Sequence, residues 1–298
     1  MSLVVVGSVA LDTIETPHGK ATETLGGSAV HFALAASLLT PVRLVGNVGP
    51  DLGEEHVALL RRRGVDLAGL TRKEGKTFRW SGRYAADMNA RETLAVELNV
   101  FGEPPVVPDE YLDSRFVFLA NGSPKHQMEV LDRIRRAQCA VADSMDHWIR
   151  SDRPTLEALF RRVDAVVIND SEAKLLTGRE GPRAARDVLD MGPAYVIVKK
   201  GEHGALMVSR DSETFLIPAF PTTEVRDPTG AGDTFAGGLM GYLASVGKLT
   251  APHLRRAMAY GTIMASFNVE DFGVRRVASL TLDEVEARMK EFRKILRF

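Results

Sequence analysis

The sequence predicts an α/β protein built on a mainly parallel sheet, with helices joining its strands. Three observations carry that prediction. Short β-branched runs alternate with helical patterns from one end of the chain to the other, which is how strands linked by crossover helices read. The runs are almost continuously apolar, as strands buried on both faces must be. The chain has 298 residues, enough at ~150 residues per domain for two domains or one large α/β unit with a sizeable core.

Taken in order, the first strand is the run Leu3-Val4-Val5-Val6, closed by Gly7. An alanine-rich helical pattern follows over residues 29–39, then a strand over 42–45 and a helix over 54–63. Further strands are expected at 116–119, 139–142, 165–168 and 195–198, each a short apolar run, and further helices at 126–137, 182–191, 233–245, 252–268 and 282–296. The basic runs Arg61-Arg62-Arg63, Arg135-Arg136 and Arg161-Arg162 sit at helix ends, where positive charge complements the dipole, and read as solvated surface. No internal repeat or low-complexity tract interrupts this order.

One region breaks the alternation. Residues 76–101 contain two extended stretches around a polar turn near Asp87-Met88-Asn89, which is a hairpin and not a crossover. Residues 13–24, after the first strand, are polar and short of helix signals, so they are expected to pair with it as a small projecting sheet. Such a sheet can act as a lid that excludes water from a site at the strand ends. The alternatives are a decorative flap or a surface that makes a homodimer through the lid.

Composition removes several classes of function. Hydrophobic residues make up 45% and charged residues 26%, ordinary globular usage that excludes a disordered chain, collagen and a coiled-coil rod. Lys plus Arg number 38 against 39 Asp plus Glu, a net charge of -1. No global field therefore draws the chain to nucleic acid or an anionic membrane, and neither is expected as a partner. Cys139 is the single cysteine, which excludes an intramolecular disulfide and a Cys-rich zinc cluster. The N-terminal residues show no basic leader or cleavage site, and no apolar run approaches the ~18 residues of a membrane span. A cytoplasmic protein is expected.

The strongest chemical signal is Asp227-Pro228-Thr229-Gly230-Ala231-Gly232-Asp233, running straight into a helix. Three small residues at a helix start let unencumbered N–H groups converge with the positive end of the helix dipole on an anion. A carboxylate at Asp233 would repel a phosphate if holding phosphate were the loop's whole task. It makes sense facing an acceptor hydroxyl, which it orients and deprotonates as a phosphoryl group is transferred. The structural alternative is that Asp227 or Asp233 caps the helix after a tight glycine turn.

This string, and the order of elements over essentially the whole chain including the early hairpin, resembles the ribokinase-like (PfkB) family of carbohydrate and nucleoside kinases. The resemblance implies a single ribokinase-like domain over residues 1–298, a three-layer α/β/α fold with a β lid at about 13–24 and 76–101. It implies ATP-dependent transfer of the γ-phosphate to a hydroxyl of a small sugar-like acceptor, with a nucleoside or cyclitol as alternative. Asp233 would be the base, and Gly230, Ala231 and Gly232 the anion hole. No G-x-x-x-x-G-K-[ST] string occurs, so the cradle is not a Walker loop.

Other positions match the family residue by residue. Asp12, in Val9-Ala10-Leu11-Asp12, coincides with its acceptor-binding Asp, and Gly26-Gly27 with a glycine pair lining the acceptor pocket. His31 stands where the family has an Asn that bonds sugar hydroxyls, a departure that brings a larger ring and a variable charge; a core histidine is the alternative. Asn121 lies past another strand, where ligands of open α/β sheets gather. Asn169-Asp170-Ser171-Glu172 matches the N-x-x-E motif associated with magnesium and phosphate, with Glu172 acting on Mg2+ through water; it is also a helix-capping pattern. Lys199, Gly201 and Gly204 match the nucleotide loop, with Lys199 where a Thr is common, and Asp227 and Thr229 complete the nucleotide-binding set. ATP, Mg2+ and a monovalent cation are the cofactors the resemblance implies. Lys76, Arg79, Trp80, Arg83 and Arg91 lie on the lid, which contributes to acceptor choice in this family.

Two rivals come from other classes. A dinucleotide-dependent oxidoreductase shares the alternating order, but Gly7 is not followed by the G-x-x-G spacing of that fingerprint. A non-catalytic sugar-binding relative would keep the pocket and lose the chemistry, and the presence of Asp233 speaks against it.

Overall fold

The computed structural model describes residues 2–297. Its strands are β1 (Leu3–Val6), β2 (Ala10–Thr16), β3 (Gly19–Gly26), β4 (Val42–Val48), β5 (Val65–Arg72), β6 (Phe78–Tyr84), β7 (Arg91–Glu97), β8 (Phe116–Leu119), β9 (Cys139–Ala142), β10 (Ala165–Asn169), β11 (Tyr195–Lys199), β12 (Ala205–Ser209) and β13 (Thr214–Ile217). The helices are α1 (Ser28–Ala36), α2 (Glu54–Arg62), α3 (Pro124–Arg133), α4 (Asp146–Ser151), α5 (Arg153–Phe160), α6 (Asp170–Thr177), α7 (Gly181–Leu189), α8 (Ala231–Val246), α9 (Ala251–Asn268), α10 (Arg275–Ser279) and α11 (Leu282–Ile295).

Nine strands form one sheet in the order β13-β12-β11-β10-β9-β8-β1-β4-β5. All neighbours from β11 to β5 are parallel, while β12 and β13 turn back antiparallel at one edge. Alternation along the strands sends side chains to two cores. Leu3 and Val5 join the core under α1, α8, α9 and α11, whereas Val4 and Val6 join the one under α3, α5, α6 and α7. The result is a helix layer on each face of a buried sheet, which explains why the strands read as unbroken apolar runs.

The early hairpin is half of a second sheet, ordered β3-β2-β6-β7. Its extent differs from the sequence expectation: the first pair begins at Ala10 and ends at Gly26, so Asp12 lies inside a strand and not in a turn after β1. Ala10 and Leu11 are buried and Ala10 pairs with both Gly26 and Phe78, so the sheet is rooted where β1 leaves the main body. A small apolar cluster of Ile14, Ala21, Tyr84 and Phe272 ties it down.

Candidate functional site

The parallel strands end on the same side, and each of β8 to β11 delivers a polar residue at or just past its carboxyl end, Asn121, Asp143, Asn169 and Lys199, while Asp12 comes from β2, the strand that follows β1 into the second sheet. This is where open α/β sheets bind ligands. The glycine pair makes room for Asp12. A Cβ on Gly26 would lie 2.0 Å from Asp12 Oδ2, and one on Gly27 would lie 2.5 Å from the Ser8 carbonyl. Gly27, at φ 97°, donates its N–H to the Asp12 carboxylate. Burial, opposed by that hydrogen bond and reinforced by Asp227 and Asp233, pushes Asp12 up to about 7. Ser8 and Ser28 exchange hydrogen bonds beside it, Ser28 N–H donating to Ser8 Oγ at 2.9 Å and Ser8 N–H to Ser28 Oγ at 3.2 Å.

The anion loop is shaped from below. Asp227 is completely buried, and its two oxygens accept from the N–H groups of Thr229 and Gly273, both at 2.8 Å. Asp227 thereby pins the loop to the segment after α9. Gly230 then turns left-handed at φ 74° and caps α8, which starts at Ala231, two residues earlier than the sequence pattern indicates. Gly232 and Asp233 lie in the helix's first turn, whose N–H groups have no carbonyl partner within the helix; the Ala231 N–H donates to Pro228 O at 3.2 Å. Lys199 points inward, with Nζ 3.1 Å from where a Cβ on Gly232 would be, so a charge stands beside the loop. Burial, aided by Asp143 and opposed by Lys199 and Arg91, pushes Asp233 up to about 7.

His31 lies flat against Gly230: a Cβ there would fall 2.3 Å from the ring. Its Nδ1 is 2.9 Å from Asn268 Oδ1, which also accepts from Thr234 Oγ1 at 2.9 Å, while Asn268 Nδ2 donates to the Thr229 carbonyl at 2.8 Å. With Nδ2 committed to a carbonyl, Oδ1 is fixed as acceptor and His31 carries its proton on Nδ1. His31 is 1% exposed, and burial lowers it to about 4, so the ring is neutral. The expected variable charge is absent, and one ring nitrogen is used up inside the protein; Nε2 alone has no partner.

On the donor side, Asn169 and Glu172 form a reciprocal capping box, Glu172 N–H donating to Asn169 Oδ1 at 2.7 Å and Asn169 N–H to Glu172 Oε2 at 2.8 Å. The helix α6 they start points Glu172 inward, where burial and Asp143 raise its pKa and Lys199 opposes them. Lys199 Nζ sits 3.0 Å from Asp143 Oδ2. Gly201 and Gly204 turn the chain sharply after β11, with φ 53° and 85°. The second sheet meets this turn through Asn89 Nδ2, which donates to Glu202 at 3.2 Å, and meets the Asp227–Asp233 loop through Thr229 Oγ1, which donates to Tyr84 at 3.1 Å. Asn121 accepts from Trp148 Nε1 at 3.0 Å.

Residues 1–280 match the pfkB family carbohydrate kinase. The chain belongs to that family. It is an ATP-dependent phosphotransferase acting on a hydroxyl of a sugar-like substrate. A cytidine kinase of Thermococcus kodakarensis is 33% identical over 253 residues, spanning 81% of this chain and 88% of that protein. A deoxyribokinase of Salmonella typhi is 28% identical, spanning 92% and 94%. The fold superposes on a ribokinase of Arabidopsis thaliana solved with ribose and ATP, with a TM-score of 0.76 over 97% of this chain and 98% of that one, at 21% identity.

For a pfkB family kinase, two residues that sequence reasoning passed over stand out, together with one that it placed on the lid for acceptor choice. Asp143 follows the expected strand at 139–142 but carries no glycine or motif beside it. Asn268 ends a helix read only for its apolar pattern. Arg91, noted only as a lid charge, acts on Asp233 across the site and stacks over Trp80 at 5.4 Å from the ring centre.

Proposed function

We propose that the acceptor is a pentose hydroxyl carried by a nucleoside, phosphorylated in one lidded catalytic domain. The carrying observation is the placement of half-buried Asp233 at the start of α8, beside Gly232, Lys199 and the left-handed Gly230. Asp233 accepts the proton of the acceptor hydroxyl as that oxygen bonds to the γ-phosphorus and the bond from phosphorus to the ADP oxygen breaks. The N–H groups of Gly230 and Gly232 and the Lys199 ammonium receive the negative charge of the transferring group, the Ala231 N–H being bonded to the Pro228 carbonyl. Asp12 and the Gly26-Gly27 backbone orient the acceptor, with Asn121 at its edge. Thr229, Asn169, Gly201 and Gly204 border the nucleotide. The cytidine kinase relative supports a nucleoside, and the deoxyribokinase supports a free pentose as second reading.

Magnesium fits the donor side. Among the described residues no three His, Cys, Asp or Glu side chains converge as direct metal ligands. Asp143 and Glu172 instead offer buried oxygens suited to an ion that keeps its water shell. When bound, it supplies positive charge to the phosphates. A monovalent-cation requirement belongs to the same reading and is tested by omitting K+ and Na+ from the assay. A homodimer through the lid is supported by edge strand β7, exposed along its length with Leu94 and Val96 uncovered, and sedimentation tests it. No helix among the described residues is long and apolar enough to cross a membrane; a cytoplasmic location is the reading we carry forward.

The test of the mechanism is ADP formation against a panel of nucleosides and free pentoses. Asp233→Asn is expected to lose at least ~100-fold in turnover with nucleotide affinity little changed. Because the base must be ionised, kcat/KM for the wild type is expected to rise with pH through about 7. Near-normal turnover of Asp233→Asn removes it from the mechanism.

A further inference from the structure

Lys199 closes β11 and Asp143 follows β9, and their side chains join across the end of the strand between them, Lys199 Nζ donating to Asp143 Oδ2 at 3.0 Å. Asp143 Oδ1 accepts from the Ser144 N–H at 2.8 Å, so both carboxylate oxygens are in use. The side chains of Asp143 and Lys199 are only 5% and 15% exposed. Among the described residues Asp143 is the one hydrogen-bond partner of Lys199 Nζ, although an ammonium has three hydrogens to give. The lysine stem runs along the first turn of α8, where a Cβ on Gly232 would lie 3.1 Å from Nζ and 3.5 Å from Cδ. The ammonium therefore touches both a carboxylate and the helix start assigned to the transferring group.

Burial works against a charge on Lys199, but Asp143, Glu172 and Asp233 outweigh it and raise its pKa, so the side chain is an ammonium at neutral pH. A divalent cation on the donor side needs the same acids, Asp143 and Glu172, and Glu172 Oε2 already accepts from the Asn169 N–H at 2.8 Å. A cation brought to Asp143 against the resident ammonium meets like charge where little solvent screens it, and there repulsion is strong. The ammonium has a second place to go. Its flexible four-carbon stem lets Nζ turn to an anion at the start of α8, and a triphosphate there carries more negative charge than one carboxylate does.

We propose that Lys199 guards Asp143 against divalent cations and yields its oxygen only when the phosphates of a nucleotide draw the ammonium towards Gly232, so that metal and nucleotide enter together. The inference rests on the magnesium reading above. It gives the lysine a task besides receiving the charge of the transferring group. A threonine at this position, uncharged and without the long stem, could not perform it.

The test is Mn2+ uptake by the full chain without nucleotide or acceptor, read from the electron paramagnetic resonance signal of the free aqua ion, so that no turnover enters the measurement. Wild-type protein is expected to hold Mn2+ no tighter than ~1 mM, and Lys199→Met to bind it ~10-fold tighter or more. Lys199→Thr, which is shorter, is expected to show the same gain, and adding Asp143→Asn to either variant is expected to abolish it. Calorimetry of a non-hydrolysable ATP analogue with and without Mg2+ is the companion measurement, and the metal is expected to tighten its binding to the wild type. Tighter Mn2+ uptake by the nucleotide-free wild type overturns the proposal whether or not the variants fold. Metal that tightens the analogue while neither folded variant gains Mn2+ uptake overturns this inference alone. Metal that leaves the analogue's affinity unchanged removes the magnesium reading, and this inference with it.

Discussion

At the scale of single residues, the site divides into groups that face substrate and groups that hold them still. Asp12 and Asp233 could be read from the sequence because each is tied to local glycines that make room for it. Asn268 could not: it bonds His31 across 237 positions of sequence, and neither residue carries a local mark of the other. Its amide links the ring under Gly230, the first turn of α8 through Thr234, and the carbonyl of Thr229. Asn268→Ala leaves two buried groups, the His31 ring and the Thr234 hydroxyl, and the part-buried Thr229 carbonyl without this partner, at ~1–3 kcal/mol for each buried one before relaxation. It is expected to lower thermal stability and to reduce kcat by ~10-fold or more, with a smaller change in acceptor KM, because the loop that receives the transferring charge loosens. Asn268→Asp, which keeps the acceptor oxygen, is expected to recover part of kcat. Steady-state kinetics with melting curves for both variants check this, and an unchanged kcat in Asn268→Ala assigns the residue to packing alone.

At the scale of elements, legibility followed burial. Strands sandwiched between helices were read in place, β1 and β8 to β11 to within a residue and β4 three residues short at its carboxyl end, because both faces must be apolar. The edge strand β5 was missed because its half-exposed pattern mixes Asp66 and Thr71 among apolar residues, and β12 and β13 because a short antiparallel return after a glycine turn leaves no helix to announce it. Helix α8 begins earlier than its apolar pattern does, since the residues of its first turn before Thr234 are not buried in the core. That turn depends on Gly230 more than on the two small residues after it. A side chain there must adopt φ 74° and lie 2.3 Å from a His31 ring that Asn268 holds in place. Gly230→Ala is therefore expected to lose ~1–3 kcal/mol of stability from strain and overlap together, and at least ~10-fold in kcat. A melting curve and turnover on the same preparation decide it; a stable, fully active Gly230→Ala protein would show that the His31 ring moves freely.

At the scale of the whole molecule, the fold gathers acids that a core would not otherwise hold. Asp12 and Asp233 are both pushed up to about 7 chiefly by burial, and Glu172 is raised for the same reason, while Lys199 opposes the rise at Glu172 and Asp233. An acid whose folded pKa exceeds its unfolded value stabilises the native state most below the unfolded pKa, and that contribution is lost as pH rises through the folded value. His31 works in the opposite sense, since its folded pKa of about 4 lies below the unfolded 6.5, so its contribution falls away on acidification below neutrality. At pH 6.5 the unfolded chain still protonates half of His31, a contribution that the three raised acids outweigh and that is spent by about pH 7.5. Thermal stability is therefore expected to fall between pH 6.5 and 8, with each ~1 kcal/mol moving Tm by roughly 2–4 °C. In Asp233→Asn, where that position no longer titrates, the fall is expected to be shallower than in the wild type. Scanning calorimetry at constant ionic strength measures both slopes. A Tm that rises over this window in the wild type would mean that the buried acids are already paired with positive charge in the folded chain, and would shift the origin of the Asp233 pKa from burial to the Lys199 and Arg91 fields.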